Sequence, residues 1–208
     1  MPRLIRTVAA AGFAAWLAAC GNLPPLSSPS SSPSSSPSLP RAESAPAAVP
    51  VLRLPPAALQ RTLALQQHIT VRYRTADGAT ETRELIALLQ ADAAHTRLAA
   101  VAGGQVLARL DWDGARLDVS RAPWAPAQLD PERILSDLQL SLWPLRAVAE
   151  ALPAGWTVRE GEGRRVLRHG DEVVVEVRHA DADTLRFTQY RDGYALTIRT
   201  LAAGEMPR

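Results

Sequence analysis

Few side chains in this sequence could do covalent or metal chemistry, and one stands apart. There is one cysteine, Cys20, and four histidines, His68, His95, His169 and His179. A lone thiol makes neither an intrachain disulfide nor a structural zinc site. No His-x-Glu, Cys-x-x-Cys or His-Glu-x-x-His spacing occurs. A hairpin through Gly170-Asp171 puts His169 beside Glu172 and His179 near Glu162. The two lie at opposite ends of one ladder and cannot share a metal. No Gly-x-Ser-x-Gly elbow is present, and Gly161, Gly163 and Gly170 read as hairpin punctuation, not as a phosphate cradle. Asp and Glu mostly alternate with Arg along strands; Arg165 and Glu176, for example, fall opposite each other in the ideal register. Nothing singles out a carboxylate pair for hydrolysis. The expectation is a protein that is not an enzyme, with no cofactor and no metal.

What remains is the chemistry of Cys20. Arg3 and Arg6 precede an uncharged stretch, residues 7–17, that contains Phe13 and Trp16. This is the pattern of a secretory signal. It is shorter than the ~20 apolar residues that a membrane-spanning helix needs. Leu17-Ala18-Ala19-Cys20 follows and resembles the bacterial lipobox. The small residues suit a peptidase site, and the thiol is the nucleophile that takes the lipid. Residues 1–19 are therefore expected to be a signal peptide and Cys20 the lipidation site. The lipobox resemblance implies three acyl chains on the mature cysteine. Each buried CH₂ contributes about 0.8 kcal/mol, so several chains anchor firmly where one binds marginally. Gly21, where an Asp would favour inner-membrane retention, implies the outer membrane, with the protein on its periplasmic face.

Residues 20–50 are expected to be the lipidated cysteine and a tether. Ser and Pro dominate, and residues 27–38 nearly repeat Ser-Ser-Ser-Pro. Without large apolar side chains this stretch cannot bury a core. Proline keeps it partly extended, at up to about 3.1 Å per residue. Residues 51–208 are left for one domain. Of the 208 residues, 47% are hydrophobic and 21% charged, values suited to a globular fold. All 23 basic residues are arginine, scattered among acids, and the net charge is only +2. No basic stripe forms, so nucleic acid is not an expected partner.

The elements that position any site follow from periodicity. Leu63, Leu65, Ile69, Val71 and Tyr73 share one face of a strand, and Ala76-Asp77-Gly78 turns it back. Residues 80–90 read as the return strand, although Leu85 to Leu89 also suit a helix. Residues 96–102 and 105–111 flank Gly103-Gly104, a hairpin signal, and Asp113-Gly114 leads to 115–120. Ideal pairing sets Val101 against Val106, Ala99 against Ala108 and Leu110 against Leu117, with Trp112 on the same face. Asp130-Pro131-Glu132 starts a helix carrying Ile134, Leu135, Leu138 and Leu142 on its apolar side. Pro144 interrupts it, and residues 145–152 form a second helix. Strands return at 164–168, 172–179, 184–190 and 194–201. Ideal registers do not put Val173, Val175 and Val177 on one face with Leu185 and Phe187, so a bulge or odd-length loop is expected. Short links make the sheet antiparallel, with the central helices as its cover.

The motifs Ile134-Leu135-Ser136-Asp137-Leu138-Gln139-Leu140, Trp143-Pro144-Leu145, Leu152-Pro153-Ala154-Gly155-Trp156 and Gly193-Tyr194 make residues 59–201 resemble a family of uncharacterised Gram-negative lipoproteins associated with aryl polyene gene clusters. Those clusters also encode proteins similar to the Lol lipoprotein carrier and acceptor. The resemblance implies an α+β fold: an open antiparallel half-barrel with helices packed on its concave face and an apolar cavity for acyl chains. It supplies no catalytic residues.

Within that frame Trp112 and Trp143 are candidate linings of an apolar pocket. Ala99 and Ala108 leave room on the same face, and Leu107, with the 85–89 run, is a candidate exposed lip. The expected function is non-catalytic: an anchored lipoprotein that binds or transfers an acyl or aryl polyene lipid, or lipoprotein acyl chains. The expected partners are the membrane, such a ligand and envelope transport proteins. The alternative is a structural or assembly lipoprotein docked on an envelope export complex.

Overall fold

The computed structural model describes residues 47–126 and 129–204. Cys20, the signal segment 1–19 and the Ser/Pro tether up to residue 46 lie outside the described residues.

Five strands come first: β1 (Leu63–Arg74), β2 (Thr80–Ala91), β3 (Thr96–Ala102), β4 (Gln105–Trp112) and β5 (Leu117–Arg121). Two helices follow, α1 (Pro131–Leu142) and α2 (Leu145–Ala151). Five more strands close the chain: β6 (Trp156–Gly161), β7 (Arg164–His169), β8 (Glu172–His179), β9 (Thr184–Gln189) and β10 (Tyr194–Ala203). All ten form one sheet in the order β5-β4-β3-β2-β1-β10-β9-β8-β7-β6. Each neighbouring pair is antiparallel. The sheet is open, with β5 and β6 as its edges. The chain leaves at one edge, forms the two helices, re-enters at the other edge, and works back until β10 pairs with β1. The fold is thus a sheet-dominated α+β fold, with both helices on one sheet face.

The 85–89 run is strand and not helix. Leu85 pairs with Ile69, and Leu89 pairs with Leu65 on one side and Leu98 on the other. Ala87, Leu89 and Ala91 are buried while Leu88 is exposed. Two neighbouring strands satisfy its backbone along much of its length, and this overrides the helical propensity of Leu and Ala.

The start of α1 is as the sequence suggests. Asp130 caps it by accepting from the Glu132 N–H at 3.0 Å, and Pro131 holds the first position. Pro144 ends it: Trp143 turns extended at φ −74, ψ 154. The freed carbonyls of Leu140 and Trp143 accept from one guanidinium nitrogen of Arg165 at 2.7 and 2.8 Å. Arg165 comes from β7 and also pairs with Glu160 at 2.6 Å, so it ties the helix end to the sheet.

Three registers depart from ideal hairpins. In β4 an extra residue, Leu107, sits between the pairs Ala100↔Ala108 and Val101↔Val106. Ala99 therefore opposes Arg109 and not Ala108. The second link spans residues 113–116, because the Asp113 carboxylate accepts from the Ala115 and Arg116 N–H groups at 2.8 and 2.7 Å. Trp112 thus pairs with Leu117, and Leu110 with Val119. In β8 the extra residue is Val174, fully buried between the pairs Leu167↔Val175 and Arg168↔Val173. It shifts Arg165 opposite Val177 and leaves Glu176 opposite Val166, so the expected Arg165–Glu176 pair does not form. The link after β8 brings His179 opposite Leu185 and Val177 opposite Phe187. This bulge and odd-length loop resolve the mismatch that the valine pattern implies.

Gly114 has φ +95, and a Cβ there would meet Pro56 Cδ at 3.2 Å. Gly114→Ala is expected to destabilise the domain by about 1–3 kcal/mol from backbone strain. A urea midpoint equal to that of the parent would contradict this.

Candidate functional site

The helix-covered side of the sheet is filled in part by the segment that precedes β1. Residues 49–55 lie against α1 as an extended strap, followed by a 3₁₀ turn, Pro56–Leu59. Val49, Leu52, Leu54 and Leu59 are buried in the main core with Leu140, Trp143, Val148 and Trp156. The packed region therefore begins before residue 51, and Ala47 to Pro50 belong to it rather than to the tether. Pro50, Pro55 and Pro56 lack N–H groups, so this stretch cannot join the sheet as a regular strand. Side chains take the place of the ladder. The Gln139 amide accepts from the Leu54 N–H at 2.8 Å and donates to its carbonyl at 2.9 Å. Ser136 Oγ accepts from the Leu52 N–H at 3.0 Å, and Arg133 donates to the Val49 and Pro50 carbonyls at 3.1 and 3.4 Å. Trp112 Nε1 donates to Leu54 O at 2.7 Å and Trp143 Nε1 to Pro55 O at 3.3 Å.

These contacts assign the two tryptophans. Trp143 is 0% exposed and Trp112 3%; both are core residues that hold the strap. Leu107 and Ala108 are each 6% exposed. Leu107 is therefore not an exposed lip: the bulge turns it inward. Ala99 is separated from the other four, because the same bulge leaves it on the opposite sheet face. The five candidates do not line one pocket.

The sequence reasoning missed Ser136 and Gln139. The buried side of α1 carries Leu135, Ser136, Gln139 and Leu140, so its centre is displaced from the Ile134–Leu138–Leu142 stripe. The available signal was two polar residues three apart inside an apolar run, beneath an upstream segment punctuated by proline.

On the uncovered face a groove of about 720 Å³ crosses β1 to β5. Two cross-strand rows shape it, Gln66–Leu88–Ala99–Arg109–Ser120 and Ala64–Gln90–Arg97–Asp111–Asp118. Its centre is apolar, with Ala64, Leu88 and Ala99; Ala202 lines one end. At its rim Asp111 bridges His95 Nδ1 at 2.7 Å and Arg97 Nε at 3.0 Å. Partial burial pushes the Asp111 carboxyl up, but these two partners outweigh it and hold it below the usual range.

One half-buried acid stands out. Asp137, on α1, accepts a hydrogen bond from the Tyr194 hydroxyl. Burial is the main cause that pushes its carboxyl up to about 7, against the opposing pull of Tyr194 and Arg133. Burial and the neighbouring carboxylate raise the Tyr194 phenol in turn. Nearby, Arg191 donates to Ala47 O, pairs with Glu172 and lies 5.4 Å over the Trp156 ring.

Among the described residues no group of three His, Cys, Asp or Glu could hold a metal ion, and no helix is long and apolar enough to cross a membrane. The arrangement offers an apolar-centred groove on the uncovered face of the sheet.

A model of a family described as "protein of unknown function (DUF3261)" matches residues 64–202, from β1 to β10. The match covers well over half of the 208 residues, and the chain belongs to that family. No curated protein matches it.

Proposed function

We propose that this member of the DUF3261 family is a lipid-anchored, non-catalytic binding protein of the outer membrane, held there through Cys20 and facing the periplasm. Its ligand is an elongated hydrophobic molecule: an acyl or aryl polyene lipid, or the acyl chains of another lipoprotein. The observation that carries this reading is the groove across β1 to β5. Its volume of about 720 Å³ lies within the roughly 300–1,000 Å³ of small-molecule sites, and an apolar centre with a few polar groups at the rim is the usual composition of such sites. Binding by apolar transfer needs no covalent step; each Å² removed from water contributes about 25 cal/mol. The strand–helix–strand order, the open antiparallel sheet and the helices on one face support likeness to the half-barrel of the Lol carrier and acceptor.

The test uses the chain from Gly21 onward and dansyl-undecanoic acid as probe. Saturable binding is expected, and Ala99→Glu is expected to weaken it at least tenfold. The introduced carboxylate would stand opposite Arg109 across the strands, so the urea midpoint should hold. Unchanged affinity in this variant would remove the groove from the reading.

A second reading, an assembly lipoprotein docked on an envelope export complex, is favoured by Trp124. This side chain, just after edge strand β5, is 54% exposed, and large aromatics are enriched at protein interfaces.

A further inference from the structure

No basic stripe is visible along the sequence, but the strand registers build one. Arg164 on β7 stands directly opposite Arg178 on β8, and Arg178 directly opposite Arg186 on β9. The three form one cross-strand row, and like charges placed opposite each other destabilise a sheet. The row lies on the uncovered face: the next residues along, Arg165, Val177 and Phe187, turn to the helix side, where Arg165 holds the end of α1. Arg159, opposite Val166, and Arg199, opposite Thr184, share the face of the row. All five arginines are exposed. On the strands β6 to β10 this face carries one acid, Glu176, which lies 2.8 Å from Arg178 and 3.6 Å from Arg164. Asp181, in the link after β8, adds a second negative charge near Arg186. A chain with a net charge of only +2 thus concentrates positive charge on one half of one sheet face. Within the row a depression of about 190 Å³ is lined by Glu176, Arg178, Arg186 and Thr188.

We infer that this arginine row docks the domain on a bilayer of anionic lipids, with lipid phosphates seated at Arg178, Arg186 and the Thr188 hydroxyl. Charge complementarity selects this occupant. Each guanidinium offers a fork of N–H donors that matches phosphate oxygens, and Glu176 engages only part of those donors. A basic side chain close to an anionic membrane strengthens binding about fivefold. No aromatic side chain interleaves the row, so the bases of a nucleic acid would find nothing to stack on. The proposed anchor at Cys20 would keep the domain within reach of a bilayer, and the groove of β1 to β5 lies on the same face of the sheet. The inference rests on the proposed function for the membrane and not for the hydrophobic ligand.

The test is co-sedimentation of the chain from Gly21 onward, which lacks the lipid, with two kinds of vesicle. One is phosphatidylcholine alone; in the other, phosphatidylglycerol replaces a third of it. Binding is expected only to the second kind, and it should weaken steeply as salt is added. Arg178→Gln/Arg186→Gln is expected to lose about tenfold or more in affinity. Its urea midpoint should not fall, because the change removes a like-charge pair. Arg83→Gln/Arg146→Gln removes the same charge from two exposed side chains outside the row, and should lose about twofold or less. No binding of the parent to anionic vesicles would overturn the inference. Equal losses in the two double variants would also overturn it, by reducing the effect to net charge. Equal or tighter binding of a single-stranded DNA oligomer would overturn the choice of a membrane. Dansyl-undecanoic acid keeps the two readings apart: vesicle binding without probe uptake would reject the groove and support the row, and probe uptake without vesicle binding would do the reverse.

Discussion

Gln139→Leu is expected to destabilise the folded domain by about 2–4 kcal/mol, although leucine nearly matches the glutamine in volume. Gln139 is 0% exposed, and its amide makes both hydrogen bonds to the backbone of Leu54. The Leu54 carbonyl keeps a partner in Trp112 Nε1. Its N–H keeps none, and an unsatisfied buried donor costs roughly 1–3 kcal/mol. The lost bond at the carbonyl adds roughly 0.5–1.5 kcal/mol. Gln139→Glu separates the two halves of the argument. It retains an acceptor for the N–H but sets a second oxygen against the Leu54 carbonyl. At neutral pH that group must bury a charge or take up a proton, so this variant should recover stability as the pH falls. Urea titrations at pH 5 and pH 8 check both. A midpoint unchanged in both variants would mean that the strap is not held in this way.

The second large effect is pH dependence through Asp137. Its folded-state pKa of about 7 lies above the ordinary 3.8, so the folded protein keeps a proton that the unfolded chain has released. A raised carboxyl pKa contributes stability that is complete below about 4 and is lost as the pH rises through 7. The slope is at most about 1.4 kcal/mol per pH unit. Asp137→Asn has no proton to lose and keeps an acceptor for the Tyr194 hydroxyl. The difference in unfolding free energy between parent and variant should therefore move in favour of the variant from pH 4.5 to 7.5, then level off. Glu172, held low by Arg191, acts in the opposite sense at more acidic pH and cancels in the difference. Parallel curves for the two proteins would contradict the assignment.

Much of the fold was legible because it is written in local terms. Strand and helix starts depended on alternation, on Asp130 and Pro131, and on paired glycines whose turn chemistry acts over a few residues. The valine mismatch even marked where a bulge had to fall. The candidate site was less legible. Ala99 and Ala108 looked like one small-residue surface, and the extra residue Leu107 sends them to opposite faces. A one-residue slip inverts every side chain beyond it, and nothing local in Val106-Leu107-Ala108 announces it. Ser136 and Gln139 do not reveal their role locally, because their partner, the strap, lies more than 80 residues away.

By itself the sequence determined a Leu-Ala-Ala-Cys run that resembles a lipobox, the proline-rich approach to the domain, and an antiparallel sheet interrupted by two helices. Each is a property of neighbouring residues: small residues before a cysteine, a composition that cannot bury a core, a period of two or of 3.6. The tertiary structure decided which face each side chain meets and what lies against α1. Those outcomes come from register and from long-range hydrogen bonds, where a single bulge or a folded-back segment reassigns residues that look equivalent along the chain.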